Sequence, residues 1–536
     1  MELIMSITII SKKDAATPVS CEHLMQRADA LTKDSSSAIY SALLHDLAKA
    51  KLDGIQTEKV LDAISKGLGC PLKIIRAEYK DIKNKIFNSN DIGLLIARRV
   101  LKEKYAAGSY LKRNTDGCYY FFDKTHWRLT SADVVRSNIQ KIANDYILEA
   151  DTTLAALVSN AMRCLDDLLA SDNDILGMTE TPFPIINCKN AELWLKKDGT
   201  FEPRPHQPTS RLLSCPEYEY VSDAGCPTFD KSIREIFANS SNPEEMVRHF
   251  EEIMGYAISG QRHIPLFIML VGHGRNGKSK LLETLQRLIG QAAVLCDSLA
   301  TFQNDRFNMA ALHGKLLFCD DDLKQGIILN DRIIKILSEI KILSARHPYG
   351  KKKFNFLSRI MTVIASNDYP NTDDISPGMI RRAYIVPFDR QFTVTEDDKG
   401  LFPAIWENEM PGILNRALQG LKRLTERGGF LQPADCIRAG KEFFAHANPL
   451  YAFLTDFTVK DPDAQMKVKD FRNVFAAWAK SQGIAINQED KKLLRKLRGL
   501  QNEFGYTVTK DVTKVAYPLL HGLAFVKESF LAENVS

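Results

Sequence analysis

The chain has 536 residues, enough for about three to five domains. Its composition, 45% hydrophobic and 26% charged, is that of an ordinary globular protein and excludes a disordered or fibrous chain. The 71 lysine and arginine residues against 66 acidic ones give a net charge of +5. That charge is too small for a protein that coats nucleic acid by charge alone, so any nucleic-acid contact must be local.

Neither a membrane helix nor an export signal is evident in the sequence. No apolar stretch approaches the roughly 18 residues of a membrane helix. The N-terminal sequence MELIMSITIISKKD lacks the basic, apolar and small segments of an export signal. We therefore expect no membrane contact and a cytoplasmic location. The ten cysteines include no CxxC pair, which favours reduced thiols over a zinc or redox motif.

The first 230 residues are predicted to form two regions. Residues 1–90 carry apolar residues at helical spacing and are predicted to be a helical N-terminal region. Residues 91–230 are predicted to be a mixed α+β collar, in which alternating aromatic residues end at Trp127 and Asp116-Gly117 marks a hairpin. Seven prolines between residues 180 and 230 favour an irregular, strand-poor segment there.

A complete phosphate-loop motif follows the collar. The apolar run from Ile264 to Val271 is typical of a strand buried on both faces of a parallel sheet, and a helical segment follows the motif. The pattern GxxxxGK[ST] is satisfied by Gly272, His273, Gly274, Arg275, Asn276, Gly277, Lys278 and Ser279. Backbone N–H groups of such a loop surround phosphates, Lys278 reaches the β and γ oxygens, and Ser279 ligates Mg²⁺. The sequence therefore predicts an ATP and Mg²⁺ site rather than a chance glycine-rich turn.

The next apolar strand ends in three aspartates. Lys315 to Cys319 runs directly into Asp320, Asp321 and Asp322. Carboxylates at that place can hold Mg²⁺ and polarise the attacking water. We predict that Asp320 binds the metal and that Asp321, beside the metal, acts on the water. Because the three residues are adjacent, a register shifted to Asp322 stays open.

Polar residues follow two further apolar strands. The strand at residues 360–366 ends at Asn367, whose neutral amide can hydrogen-bond both the γ-phosphate and the attacking water. Arg381 and Arg382 precede a strand at residues 383–388. An arginine at that position can reach the γ-phosphate held by a neighbouring subunit. The alternative is a surface arginine pair that binds a carboxylate.

Five segments in this order resemble one helicase family: GHGRNGKS, LLFCDDD, ARHPYGKKKFNF, VIASNDYP and RRAYIVPF. Together they are similar to the superfamily 3 helicases found as the C-terminal half of primase-helicases in poxviruses, phages and mobile elements. The resemblance covers about residues 95–430. It implies an AAA+ type motor that assembles as a ring, usually a hexamer, in which Arg382, or Arg381 as second choice, acts on ATP of the next subunit. The segment 339–341, Glu-Ile-Lys, departs from the family's common Gly-Gly-Asp, which leaves the coupling of hydrolysis to movement open.

The same resemblance implies a DNA-binding hairpin between two strands of the ATP site. Residues 344–359 contain no acidic residue. The predicted DNA-binding residues in this segment are Arg346, Tyr349, Lys351, Lys352 and Lys353. In the family this hairpin projects into the channel of the ring, where cations contact the phosphates of one strand without reading its sequence. A solvated basic loop is the alternative.

The C-terminal part is predicted to contain a helical extension, residues 396–450, and a winged-helix-like domain, residues 451–536. Its segment 490–498 combines inward-facing apolar residues with a cationic outer face. That face could bind duplex DNA or dock a protein.

The whole prediction is a multidomain chain: a helical N-terminal region, a collar, an α/β P-loop motor at residues 231–395, and a winged-helix tail. We expect an ATP-dependent, ring-forming DNA helicase or replication initiator of a phage or mobile element that translocates on single-stranded DNA in the cytosol of a bacterial host. Two alternatives stay open. One is an oligomeric origin-binding or defence protein that does not unwind DNA, and the other is a primase-helicase with primase activity within residues 1–230.

Overall fold

A computed structural model gives the architecture of the chain. It describes residues 20–50, 52–86, 89–147, 152–170, 184–196, 199–304, 308–324, 326–346, 353–372, 376–396, 398–484, 490–510 and 518–526. The chain divides into two compact units. The first comprises residues up to Arg113 together with Thr130–Ala170, and the second comprises Asn114–Leu129 and the chain from Ser171 onward. Across the described ranges, no helix combines the length and apolar character needed to cross a membrane.

The first unit begins with a bundle of four helices: α1 (Cys21–Asp29), α2 (Ser37–Lys49), α3 (Gly54–Leu68) and α4 (Leu72–Ile86). Apolar residues recur every three or four positions, so each helix presents a stripe to a shared core. Leu24, Leu44, Val60 and Ile75 lie in that core with at most 2% of their surface exposed. Asp53 caps α3 by accepting a hydrogen bond of 2.7 Å from the backbone N–H of Gln56.

The rest of the first unit consists of α5 (Ser89–Lys104), β1 (Leu111–Arg113), α6 (Ala132–Ala143) and α7 (Leu154–Leu169). Helices α6 and α7 have side-chain caps: Ser131 accepts from Val134 N–H and Thr153 accepts from Ala156 N–H, both at 3.2 Å. The apolar faces of α5, α6 and α7 pack against one another.

The second unit begins with the strands β2 (Tyr119–Phe122) and β3 (Trp127–Thr130), followed by β4 (Ile185–Asn187), β5 (Glu192–Leu195) and β6 (Phe201–Arg204). The last three form an antiparallel sheet in the order β4-β5-β6. The expectation of a strand-poor segment between residues 180 and 230 is therefore wrong. Pro203 is accommodated because β6 is an edge strand, where a missing N–H costs no ladder bond. Buried Glu192 on β5 accepts hydrogen bonds from Ser210 Oγ at 2.6 Å and from Gln207 N–H at 3.0 Å. These bonds hold the turn that follows β6.

A parallel sheet forms the centre of the second unit. The elements of this part are α8 (Pro227–Ile236), α9 (Pro243–Ser259), β7 (Phe267–Val271), α10 (Lys278–Ile289), β8 (Val294–Cys296), α11 (Leu299–Phe302), α12 (Asn308–Ala311), β9 (Leu317–Asp320), α13 (Asp331–Ile336), β10 (Lys341–Ala345), β11 (Phe354–Ser358), β12 (Met361–Ser366), α14 (Pro377–Arg382) and β13 (Ala383–Pro387). The sheet order is β13-β7-β12-β9-β8, with every pair parallel. Strands β7, β9 and β12 are buried along their whole length, as their continuous apolar sequences require. The prediction of a multidomain α/β chain with a parallel sheet is confirmed.

Strands β10 and β11 form a separate antiparallel hairpin whose register pairs Lys341 with Ser358 and Ala345 with Phe354. This hairpin lies between β9 and β12 in sequence, where the sequence predicts the basic hairpin. Arg346 and Lys353, at the ends of the two strands, are exposed. Tyr349, Lys351 and Lys352 lie outside the described residues.

The C-terminal part consists of α15 (Leu401–Asn408), α16 (Met410–Arg427), α17 (Ala434–Ala447), α18 (Pro449–Phe457), β14 (Thr458–Lys467), α19 (Val468–Ser481), α20 (Asp490–Phe504), β15 (Thr507–Lys510) and β16 (Pro518–Phe525). The three strands form an antiparallel sheet in the order β14-β16-β15. Phe453 of α18 contacts Phe471, Phe475 and Trp478 of α19 with ring centroids 5.4–5.5 Å apart. These rings belong to the same apolar core as Phe267 of the parallel sheet, so the C-terminal part and the sheet share one core.

Candidate active site

A cavity of about 530 Å³ opens beside the carboxyl end of the parallel sheet. The register places Ser366 and Pro387 beside Val271, so strands β12, β7 and β13 end at one edge. Ligands bind to open α/β sheets at this edge because the loops that follow the strands meet there. Predicted residues that line the cavity are Gly274, Arg275, Asn276, Gly277, Lys278, Ser279, Asp321 and Asn367.

The loop between β7 and α10 depends on two glycines. Gly277 has φ +86°, and a Cβ there would lie 2.6 Å from Cδ1 of Ile236. At Gly272 a Cβ would lie 2.4 Å from the carbonyl oxygen of Phe388. Gly277, the N-cap residue of α10, has no side chain that could cap the helix, so the backbone N–H groups that follow Lys278 can bind an anion in the cavity. Gly272 and His273, although part of the motif, do not line the cavity.

Asn276 fixes the loop from inside. Its side chain is 3% exposed, and its Nδ2 donates to the carbonyl oxygen of Phe388 at 3.3 Å. Its Oδ1 accepts from the backbone N–H of Lys278 at 3.4 Å and from Nζ of Lys278 at 3.2 Å. The hydrogen bonds of the Asn276 side chain therefore hold the loop in this conformation.

Lys278 is held against the loop and the end of β12. Its Nζ donates to the carbonyl oxygen of Gly272 and, at 3.4 Å, to Oδ1 of Asn367. Only 6% of the residue is exposed, and burial lowers the pKa of the ammonium to about 8. A buried cation whose charged form is destabilised gains from a bound anion, which supplies the missing negative charge. Lys278 and Asn367, predicted from separate motifs, are thus brought together.

The three aspartates differ in environment. Asp320 is 4% exposed and does not line the cavity. Its Oδ2 accepts from the backbone N–H of Leu299 at 2.7 Å and its Oδ1 from that of Asp322 at 3.2 Å. Burial raises the pKa of this carboxyl group, although the two N–H donors act in the opposite direction. Asp321 and Asp322 are exposed and line the cavity.

The three predicted aspartates are therefore placed differently at the end of β9. Asp320, predicted to bind the metal, accepts one backbone hydrogen bond at each carboxylate oxygen and does not line the cavity. Asp321, predicted to act on the water, and Asp322, the alternative register, both line it. The hydroxyl of Ser279 and the two exposed carboxylates form an oxygen donor set of the type that Mg²⁺ prefers beside phosphates. The donors present therefore fit Mg²⁺.

The two arginines at the end of α14 do not line the cavity of their own chain. Arg382 is 12% exposed at its side chain, donates to Glu339 at 3.0 Å and donates to the carbonyl oxygen of Gly378 at 2.8 Å. Arg381 is exposed and makes no ion pair with any residue that the structure describes. Arg382 was the first choice for a contact with a neighbouring subunit. Its guanidinium is instead bound to Glu339 and Gly378 of its own chain, whereas Arg381 is exposed to solvent.

Part of the cavity lining was not identified from the sequence. It combines apolar side chains, those of Ile236, Phe392, Leu401 and Phe402, with the carboxylates of Glu235, Glu396 and Asp398. The guanidinium of Arg390 lies 4.4 Å from the ring centroid of Phe392. Apolar side chains of this kind can contact a flat ring of a ligand, and carboxylates can accept its N–H groups. No local pattern marks these residues, because they come from elements about 150 residues apart in the chain.

Comparisons with known proteins match two segments of the chain. Residues 98–238 match a family model described as D5 N terminal like, and residues 270–382 match a family of unknown function (DUF5906). A protein of Acanthamoeba polyphaga mimivirus named "Putative helicase L207/L206" is 24% identical over 240 residues, which is 44% of this chain and 23% of that protein. The chain therefore covers less than a quarter of its relative's length.

Among solved structures, the chain matches the C-terminal region of NrS-1 in its A form without ligand. One such structure has 10% sequence identity and a TM-score of 0.43, and the alignment covers 80% of this chain and 100% of that chain. Another, of residues 305–718 of the same protein, has 11% identity and a TM-score of 0.41, again with 80% and 100% coverage.

Proposed function

We propose that the chain is the motor of an ATP-dependent DNA helicase of the superfamily 3, AAA+ type, which acts in the replication of a phage, virus or mobile element. The observation that carries the proposal is the convergence on one cavity of Lys278, Asp321 and Asn367, which follow three different strands of one parallel sheet. The sheet order β13-β7-β12-β9-β8, with the phosphate-type loop after β7, the second strand in that order, supports this class of motor. The match to a putative viral helicase supports the helicase assignment.

In this proposal the cavity binds ATP with its triphosphate on the loop 272–277 and its base against the apolar side chains of Phe392, Leu401 and Phe402. The N–H groups of the loop and the ammonium of Lys278 hold the phosphates. Ser279 and Asp321 hold Mg²⁺, which when bound neutralises charge on the phosphates. Asp322 orients the attacking water and accepts its proton, and Asn367 donates a hydrogen bond to the γ-phosphate. Asp320 holds the turn that carries Asp321 and Asp322 by accepting hydrogen bonds from the backbone N–H groups of Leu299 and Asp322.

A ring of subunits, usually six in the family that the sequence resembles, would complete the site. Arg381 is exposed at the end of α14, so it can contact the γ-phosphate held by the next subunit, where an added cation stabilises the charge of the transition state. The hairpin β10–β11 would face the channel of that ring, with Arg346 and Lys353 near single-stranded DNA. The β14-α19-α20-β15-β16 arrangement supports a winged-helix role for the C-terminal part, with the exposed cationic face of α20 available to DNA.

Strand displacement on a forked DNA substrate tests the proposed activity. Wild-type protein with ATP and Mg²⁺ is expected to hydrolyse ATP faster with single-stranded DNA and to release the displaced strand. Lys278→Ala removes the buried cation and should lower hydrolysis by at least about 100-fold, because a preorganised charge in such a site contributes on that order. The loop should stay folded, since Asn276 and the backbone hold it.

A matched control is Lys231→Ala, which removes a cation that is 78% exposed at its side chain on α8. That variant should keep wild-type hydrolysis and displacement. DNA-stimulated hydrolysis without displacement would favour an oligomeric DNA-binding protein over a helicase. Normal hydrolysis by Lys278→Ala at an unchanged melting temperature would contradict the site itself.

A further inference from the structure

Two cysteines lie side by side on the neighbouring strands β8 and β9 of the parallel sheet, next to the aspartates of the candidate active site. Cys296 ends β8, and Cys319 precedes the last residue of β9. The two residues are direct partners in the parallel register, and their Sγ atoms are 3.0 Å apart. Both are free thiols, Cys296 exposed and Cys319 buried. An exposed thiol in contact with a buried one forms a pair that a soluble oxidant can reach from one side.

The backbone at this position suits a disulfide. Neighbouring strands lie about 4.8 Å apart, which is within the range of Cα separations that disulfides span. A disulfide bond is about 2.05 Å long, so the two sulfurs need to approach by only about 1 Å. Register pairing and close sulfur contact are independent observations, and both favour a bond between these two residues.

We propose that Cys296 and Cys319 form a reversible disulfide that slows the ATP hydrolysis assigned to the adjacent cavity; the effect on hydrolysis rests on the proposed function. Cys319 is bonded in sequence to Asp320, whose carboxylate holds the backbone of Leu299 and Asp322. The sulfur of Cys319 also accepts a hydrogen bond from Nε2 of Gln286 on α10 at 3.3 Å. A shift of this sulfur towards Cys296 therefore disturbs both the acidic turn and the helix that follows the phosphate loop.

The oxidant in this proposal is a small disulfide such as oxidised glutathione. The thiolate of Cys296 attacks one sulfur of the oxidant, which breaks its S–S bond, releases one glutathione thiolate and leaves a mixed disulfide on Cys296. The thiolate of Cys319 then attacks Sγ of Cys296 and expels the second glutathione thiolate. The two protons lost by the cysteines protonate the released thiolates. Two electrons pass from the protein to the oxidant, and two molecules of glutathione are formed.

Peptide mapping of the full chain tests the bond itself. The protein is incubated with oxidised or reduced glutathione, alkylated and cleaved with trypsin, which cuts at Lys315 between the two cysteines. Oxidised protein should give a pair of peptides joined through Cys296 and Cys319, and dithiothreitol should separate them. Absence of this linked pair, with glutathione on Cys296 alone or no modification, would overturn the proposal.

Hydrolysis measured on the same samples tests the consequence. Oxidised wild type should hydrolyse ATP several-fold more slowly than reduced protein, and dithiothreitol should restore the rate. Cys296→Ser should be insensitive to the oxidant, whereas Cys70→Ser, which removes an exposed thiol in the first unit, should respond like wild type. A linked pair with an unchanged rate overturns the regulatory role. If reduced protein shows no hydrolysis at all, the proposed ATPase fails, while peptide mapping still decides whether the disulfide forms.

Discussion

Asp320 and Asp321 are neighbours in sequence but have different surroundings. Asp320 is buried and accepts two backbone hydrogen bonds, whereas Asp321 is exposed in the cavity. Asp321→Asn is expected to lower ATP hydrolysis by at least about 100-fold, since it removes the charge of a residue proposed to hold Mg²⁺ at the phosphates, and to leave the melting temperature unchanged. Asp320→Asn should instead destabilise the fold by about 1–3 kcal/mol, because an amide cannot accept both N–H donors.

Hydrolysis rates and thermal unfolding of both variants separate these roles. Asp322→Asn, measured alongside, should resemble Asp321→Asn, since Asp322 also lines the cavity. If Asp320→Asn lost hydrolysis completely while melting like wild type, the register with Asp320 at the metal would be right after all.

Arg381 and Arg382 also differ in their surroundings. Arg381 is exposed to solvent, whereas Arg382 is paired with Glu339. Arg381→Ala is expected to bind nucleotide normally but to lose turnover by about 10³-fold or more, the contribution of an arginine supplied in trans. Arg382→Ala should mainly destabilise the protein, because it leaves Glu339 without its partner at 3.0 Å. Mixing wild-type with Arg381→Ala protein should lower activity more than in proportion to the fraction of variant. A strictly proportional decrease would contradict action between subunits.

At the scale of elements, the sequence contained the strands but not their arrangement. Continuous apolar runs predicted β7, β9, β12 and β13, because strands buried on both faces need apolar residues at every position. The order of these strands and the position of β8 at the sheet edge depend on packing between distant segments, which no local pattern records. The three-stranded sheet β4-β5-β6 was missed because its prolines suggested irregular structure, whereas Pro203 lies on an edge strand.

For the candidate site, too, the sequence predicted the local motifs but not how distant segments combine. The phosphate loop and Asn367 follow directly from short motifs attached to strands. Which of the three aspartates line the cavity was not predictable, because the placement of Asp320 depends on the backbone N–H of Leu299, which is 21 residues away in the chain. The remaining cavity lining combines residues of α8 with residues 392–402, and only the folded chain brings them together.

The hairpin β10–β11 carries the next prediction. Lys353 is exposed at the start of β11, beside the segment proposed to contact DNA, whereas Lys341 lies at the opposite end of the same hairpin. Lys353→Ala is expected to weaken single-stranded DNA binding and to reduce the slope of log affinity against log salt by about 0.7, the value for one lost phosphate contact on a single strand. Lys341→Ala, which removes the same charge from the same hairpin, should leave affinity and slope unchanged. Fluorescence anisotropy at several salt concentrations measures both; equal effects of the two substitutions would argue against a contact at the strand end.

At the scale of the whole molecule, the apolar cores of the described residues do not follow the domain boundaries that the sequence predicts. The helices α1–α4 have a core of their own, whereas the C-terminal part shares its core with the parallel sheet. The region predicted to be winged-helix-like therefore shares an apolar core with the parallel sheet and is not merely tethered to it. Movement of the sheet during an ATPase cycle would be transmitted through this core to the strands β14–β16, because packed interiors transmit strain.

Two substitutions of buried apolar residues test this division. Phe453→Ala removes the ring of a residue that is 1% exposed and that contacts five aromatic side chains: Phe457, Phe471, Phe475, Trp478 and Phe525. It should cost about 3–5 kcal/mol and lower the temperature at which ATP hydrolysis is lost. Leu44→Ala, in the bundle α1–α4, should cost about 2–5 kcal/mol but melt that bundle alone. Calorimetry and hydrolysis measured over the same temperature range compare the two variants. If Phe453→Ala protein kept wild-type hydrolysis up to the wild-type melting temperature, the C-terminal part would be energetically separate from the motor, and the shared core would not couple them.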